Sequence, residues 1–178
     1  SLQWMADRLE GNLLAAHQEI MKLAFIYPAG PLSFEHISAS VASVARYDVF
    51  KLSEAVLGGQ VLRTQRMLAG LRAEGEAEVL VHWALAEDIR ALHRVRTALE
   101  AGQPLPAAMS AARLWGPKQK LIERLAPRLA LQETTALLHA AQQVDGIVKG
   151  LRQKDWPSQS WAALDRLALQ LCQAAAPV

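Results

Sequence analysis

Glu76 to Glu100, EAEVLVHWALAEDIRALHRVRTALE, is the stretch whose reading decides the fold. It contains neither proline nor glycine, so nothing inside it interrupts a helix. Leu85, Ile89, Leu92, Val95 and Leu99 recur at spacings of three and four, which lays them along one face. Leu80, Val81 and Trp83 widen that stripe at its front end. Glu76 and Glu78 fall in the first turn, where the helix dipole favours negative charge. Gly102 and Pro104 follow the last turn and stop it. At about 1.5 Å per residue, ~25 residues reach roughly 37 Å, the width of a small domain. Such a helix is a central strut that other helices must cover.

Outward from this strut, the chain reads as further helices. Upstream, Asp48 is positioned to cap a helix carrying Val49, Phe50, Leu52, Val56 and Leu57, which Gly58–Gly59 terminates. Gln60 to about Ala73 is the next, with Val61, Leu62, Leu68 and Leu71 inward and Arg63, Arg66 and Arg72 outward. Gly75 breaks it. Downstream, Pro104 and Pro106 start a short helix through about Ala112, and Trp115–Gly116–Pro117 makes a turn. Pro117 fits a first helical position, and Leu121, Ile122 and Leu125 carry the stripe that follows. Pro127 ends that helix or kinks it. Leu131 to Val148 is another helix, closed by Gly150. Trp161, Leu164, Leu167, Ala168 and Leu171 mark the last, ending near Ala176.

The first 45 residues are a separate case. Glu10 to Tyr27 predicts a helix, with Asn12 as N-cap, a stripe of Leu13, Ala16, Ile20, Ala24 and Tyr27, and a broader margin of Leu14, Met21 and Phe25. Pro28, Gly30 and Pro31 end it. Ser33 caps a second helix through roughly Val44, with Phe34, Ile37, Val41 and Val44 on one side. Two helices are too few to enclose a core, so residues 1–45 read as the remnant of a larger unit. Arg46–Tyr47 is the joint, and 46–178 the main domain. The whole is an all-α, multi-helix bundle of about nine helices.

Composition agrees with this class. The chain has 178 residues, 52% of them hydrophobic and only 6% aromatic, a mixture that leans to helix. A net charge of +2 is too small to argue for nucleic acid or membrane on its own. Cys172 is the single cysteine, which excludes an internal disulfide and a cysteine zinc cluster and points to a reducing compartment. No apolar run approaches the ~20 residues a bilayer needs. No basic segment followed by an apolar one marks a signal peptide, so a cytoplasmic location is expected. The chain begins at Ser1, and a piece of a longer protein is expected.

Catalytic chemistry is not legible. Gly58–Gly59–Gln60 lacks the lysine and the preceding strand of a phosphate loop and reads as a helix stop. No two of the five histidines, His17, His36, His82, His93 and His139, stand four apart as a helical zinc pair; each reads as surface or half-buried. Cys172 reads as a buried, inert thiol. Glu74, Glu76 and Glu78 are explained by the helix dipole and solvation. No nucleophile-elbow sequence surrounds a serine. No catalytic residue, metal or cofactor is expected.

The cations are more suggestive. Arg90 and Arg94 are one turn apart on the outer face of the long helix. Arg113, Lys118 and Lys120 crowd the region of Trp115. Three readings compete: phosphate contact, a protein interface rich in arginine and tryptophan, or a solvated face whose cations pair with Glu87, Asp88 and Glu123. Arg90, Arg94, Arg113, Trp115, Lys118 and Lys120 are therefore the candidate interface or basic face.

Three stretches carry a family resemblance: EGNLLAAHQEIMKLAFIYP at Glu10–Pro28, VARYDVFKLSEAVLGG at Val44–Gly59 with the long helix after it, and RLW at Arg113–Trp115 with DWPSQSWAALDRLALQLC at Asp155–Cys172. In order and spacing they resemble the delta subunit of bacterial DNA polymerase III, a component of the sliding-clamp loader. The resemblance implies that residues up to about Ala45 are the back of a small helical lid domain. It implies that 46–178 are the C-terminal collar domain. The collar would pack beside those of the gamma or tau and delta prime subunits in a five-membered ring. Clamp opening would belong to an N-terminal domain outside this sequence, and contact with DNA would be indirect. The resemblance implies no ATP hydrolysis, a non-enzymatic part in DNA replication, and a subunit of the polymerase holoenzyme. The alternative is a helical nucleic-acid-binding module working through Arg90, Arg94, Arg113, Lys118 and Lys120.

Overall fold

The structure, a computed structural model, describes residues 13–34, 36–37, 49–114 and 117–176. The chain divides into two compact units, Ser1–Arg46 and Tyr47–Val178. Among the described residues every regular element is an α-helix and there is no strand. The protein is an all-α bundle.

In the first unit, α1 spans Leu13–Ile26. Leu23 and Ile37 are buried, as is Glu19, which pairs with Lys22 at 3.6 Å. Ile20, Met21, Phe25 and Ile26 are exposed, so the apolar stripe expected through Ile20 is not the row this unit shelters. Tyr27 stacks on His36 with ring centroids 4.3 Å apart. Ser33 does cap: its Oγ accepts the His36 N–H at 3.2 Å, three residues on. The rest of the helix expected through Val44 lies largely outside the described residues, as do Asn12, Asp48 and the Arg46–Tyr47 joint.

The second unit holds α2 (Val49–Leu57), α3 (Val61–Ala73), α4 (Glu78–Glu100), α5 (Leu105–Ala111), α6 (Pro117–Leu125), α7 (Leu131–Val148) and α8 (Ser160–Ala175). Eight helices are thus described against the nine or so expected, the difference being the helix after Ser33. The strut α4 packs along α7, and α8 lies against α2, α3, α4 and α7. The α4–α7 pair is antiparallel: His82, early in α4, meets Ala141, late in α7, and His93 meets Thr134, in the first turn of α7. Leu85, Ile89 and Leu92 of α4 are fully buried, in one core with Leu52, Leu164, Leu167 and Leu171.

Local chemistry sets the ends of these helices. After α4 the chain turns at Gly102, whose φ is +79°. The Gly102 N–H reaches the Leu99 carbonyl at 3.0 Å, and the Gln103 N–H reaches that of Ala98 at 3.0 Å. These two bonds are a Schellman closure, which needs a left-handed residue that only glycine adopts without strain. Gly59 closes α2 in the same way at φ +69°, under a second constraint. A Cβ there would stand 2.7 Å from the Ala176 Cα, so the C-terminal end of α8 lies directly over it. At the start of α4, Glu76 accepts the Ala77 N–H at 2.9 Å. At the start of α7, the Glu133 carboxylate reaches back to the Ala130 N–H at 2.7 Å, half of a capping box.

Some expected orientations differ. Leu62, expected inward, is 75% exposed, because it shares a face with exposed Gln65, Arg66 and Ala69, while Thr64, Met67, Leu68 and Leu71 form the buried row. Trp83, expected to widen the buried stripe, is 50% exposed. Phe50 is exposed, its ring 5.9 Å from the Lys118 ammonium. Trp156 and Trp161 are half-buried against the core. The Trp156 indole N–H donates to Gln143 at 2.7 Å, and Arg166 lies over its ring at 4.4 Å.

Candidate functional site

The candidate residues occupy different parts of the second unit. Arg90 and Arg94 lie on the outer face of α4 and are exposed. Arg90 is held by Glu87, one turn back, at 2.6 Å. Arg94 forms no ion pair among the described residues. Arg113 stands exposed in the turn after α5, with a left-handed φ of +50°. Lys120 is exposed on α6, beside Arg63 and Glu54 at the rim of an open groove of about 620 Å³. Trp115 lies outside the described residues.

Lys118 does something else. From the first turn of α6 its ammonium reaches Asp88 of α4 at 2.8 Å. Asp88 is 2% exposed. It falls between Leu85 and Leu92 in the sequence, on the side of α4 turned to the core. Burial pushes the Asp88 carboxyl above its ordinary range, and the Lys118 ammonium pulls against that rise. The pair therefore fastens α6 to the strut, with the Phe50 ring of α2 beside the same ammonium. The cations divide into two kinds: Arg90 and Lys118 are each paired with one of the carboxylates that the solvated-face reading named, while Arg94, Arg113 and Lys120 are exposed to solvent.

Two histidines join α4 to α7. His82 is buried, contrary to the expected surface or half-buried place. Its Nε2–H donates to the Ala141 carbonyl at 2.9 Å, and Nδ1 stands 3.7 Å from Asp145. Lys149, bonded to Asp145 at 2.6 Å, holds that carboxyl below its ordinary range. His93 is half-buried. The Thr134 hydroxyl gives its proton to the Leu131 carbonyl, so at 3.2 Å it accepts from His93 Nδ1–H. Both rings serve as cross-braces. The sequence signal for His82 is its place one residue after buried Val81 and three before Leu85.

Cys172 is buried and faces Thr64 of α3, with Oγ and Sγ 3.7 Å apart; burial pushes the thiol up, away from the reactive thiolate. Among the described residues no group of three His, Cys, Asp or Glu side chains stands together to hold a metal. No described helix is long and apolar enough to cross a membrane.

Among the described residues of the second unit, one outward-facing row groups several large apolar side chains. Val79 (57% exposed), Leu80 (38%) and Trp83 (50%) share the front of the outer face of α4. Glu87, Arg90 and Arg94 continue the row along the helix at steps of three and four.

No protein-family model matches the chain. It is 29% identical over 163 residues to DNA polymerase III subunit delta of Escherichia coli, covering 92% of this chain and 46% of that protein. It is 22% identical over 180 residues to DNA polymerase III subunit delta of Haemophilus influenzae, covering 97% and 51%. The chain spans about half the length of the curated relatives it matches. With that similarity running through nearly all of a helical bundle, the chain is a protein like the delta subunit of DNA polymerase III.

Proposed function

We propose that this chain is a non-catalytic assembly part of a clamp loader in DNA replication. Residues 46–178 form a collar domain that holds sibling subunits in register, and residues 1–45 belong to a lid domain. The partners are the collar domains of the gamma or tau and delta prime subunits. The sliding clamp is engaged elsewhere in the protein, and the work is cytoplasmic. The observation that carries this reading is the similarity to delta subunits across nearly the whole chain. The chemistry of the bundle supports it. Three polar contacts, Asp88–Lys118, His82–Ala141 and His93–Thr134, each join one helix to another, and a row of large apolar side chains is left over on the outer face of the strut.

The test is co-elution. The chain is mixed at micromolar concentration with the gamma/tau collar domain and run on a sizing column at low and at raised salt. A complex that persists as salt is raised is the expected result, because apolar contacts are weakly screened whereas phosphate-type contacts weaken steeply. Two folded partners eluting separately would sink the proposal. Salt-sensitive retention of DNA by the chain alone would favour a phosphate-binding face.

A further inference from the structure

We infer that the front of the outer face of α4, Val79, Leu80 and Trp83, is the seat for an apolar helix of a sibling subunit, and that Arg94 receives a carboxylate from that helix. The inference rests on the assembly reading above and names the surface it uses. Among the described residues of the second unit, the other large exposed apolar side chains, Phe50, Leu62 and Leu151, stand singly on separate elements. Isolated apolar residues at the surface are ordinary; a contiguous patch marks a contact site. Val79 and Trp83 are four apart and Leu80 and Trp83 three apart, so they make the ridge that packs into the groove of another helix.

The charge pattern says what kind of helix. Glu87 and Arg90 satisfy each other at 2.6 Å, so they rim the patch without asking anything of a partner. Arg94, one turn on and exposed, has no ion pair among the described residues. A helix lying along the row with its apolar stripe on Trp83 brings its own side chains beside Arg94 about three turns further on. An acidic residue there completes the contact. Tryptophan and arginine are also the residue types that dominate interface energetics.

The experiment uses the full 178-residue chain, with purified gamma/tau and delta prime subunits as probes and affinity read by titration calorimetry. Trp83→Asp is expected to weaken binding about tenfold or more. Arg94→Glu should weaken it less, and more so at low salt. Leu62→Asp, at a still more exposed apolar site on another helix, should leave affinity unchanged. All three variants should melt within about 3 °C of the parent, since the altered side chains are at the surface. If the parent binds a sibling and Trp83→Asp binds it equally well, this seat is wrong while the assembly reading stands. If the parent binds neither sibling, both fall. Self-association of the parent through this face, abolished by Trp83→Asp and present without either sibling, would assign the seat to a second copy and overturn the inference.

Discussion

The two sides of α4 are made of similar residues and do opposite things. On one side Val81, Leu85, Ile89, Leu92 and Val95 are fully buried, and even the polar groups there, His82 and Asp88, are engaged by α7 and α6. On the other, Val79, Leu80 and Trp83 stand in water beside an exposed ion pair. Hydrophobic character alone does not separate the two sides, since both carry it. Coverage does: α7, α8 and α2 are among the helices packed on α4, and the packing buries one side while Val79, Leu80 and Trp83 stay exposed on the other. Exposed apolar side chains grouped on one helix face mark a contact site, and the assembly role proposed above gives that face an occupant.

The contrast is sharpest where the inner side is cut. Ile89 is fully enclosed, and Ile89→Ala should cost about 4 kcal/mol, because the lost methylenes leave a cavity the close-packed neighbours fill only in part. Urea unfolding would show it as a lower midpoint at unchanged slope. A loss under ~1 kcal/mol would mean that this side is loosely packed, and the distinction between the two sides would blur.

The Asp88–Lys118 pair tests the polar part of the same side. Lys118→Met leaves a carboxylate buried with no ammonium and should cost about 3 kcal/mol near neutral pH. The pH dependence has a definite sign. Burial sets the folded Asp88 value above the ordinary 3.8, so the folded chain holds that proton more tightly than the unfolded one. Its contribution is present below about pH 3.8 and is lost as pH rises through the raised folded value. Asp88→Asn should remove this sag: the stability of the Asn variant relative to the parent improves as pH climbs from about 3.8 and then levels off. Parallel curves across that window would show that the carboxyl is not desolvated after all.

How much of this was legible in the residues can be argued helix by helix. The bounds of α7 follow from Gly150 and an uninterrupted stripe, and Leu131–Val148 is what the structure has. The glycine closures of α2, α3 and α4 were readable because a left-handed turn has few chemical solutions. Trp83 was not readable, because a wide apolar stripe carries no record of which margin will be covered; that depends on where α7 and α8 land. Asp88 was half readable. An acid placed between Leu85 and Leu92 in a buried stripe demands a cation, and Lys118 was among the cations singled out, first as a surface group and only as one reading as a partner of Asp88. The candidate cations cluster along the sequence, and the fold sorts them by what each one meets. Lys118 meets a buried carboxylate, Arg90 an exposed one, and Arg94 open water.

The smallest expected effect lies on the outer side and makes the comparison quantitative. Arg90 and Glu87 are 45% and 40% exposed, so their 2.6 Å contact is formed in high dielectric and screened by salt. Arg90→Ala should change stability by no more than about 0.5 kcal/mol, an order of magnitude below the loss at Ile89, one residue earlier in the chain. Two adjacent residues with such unequal costs are what a helix with one covered and one open side requires. A loss above ~1.5 kcal/mol for Arg90→Ala would mean that the outer row already braces the bundle. Trp83 and Arg94 would then be parts of a structural edge, and the surface left for a sibling helix would have to be sought elsewhere.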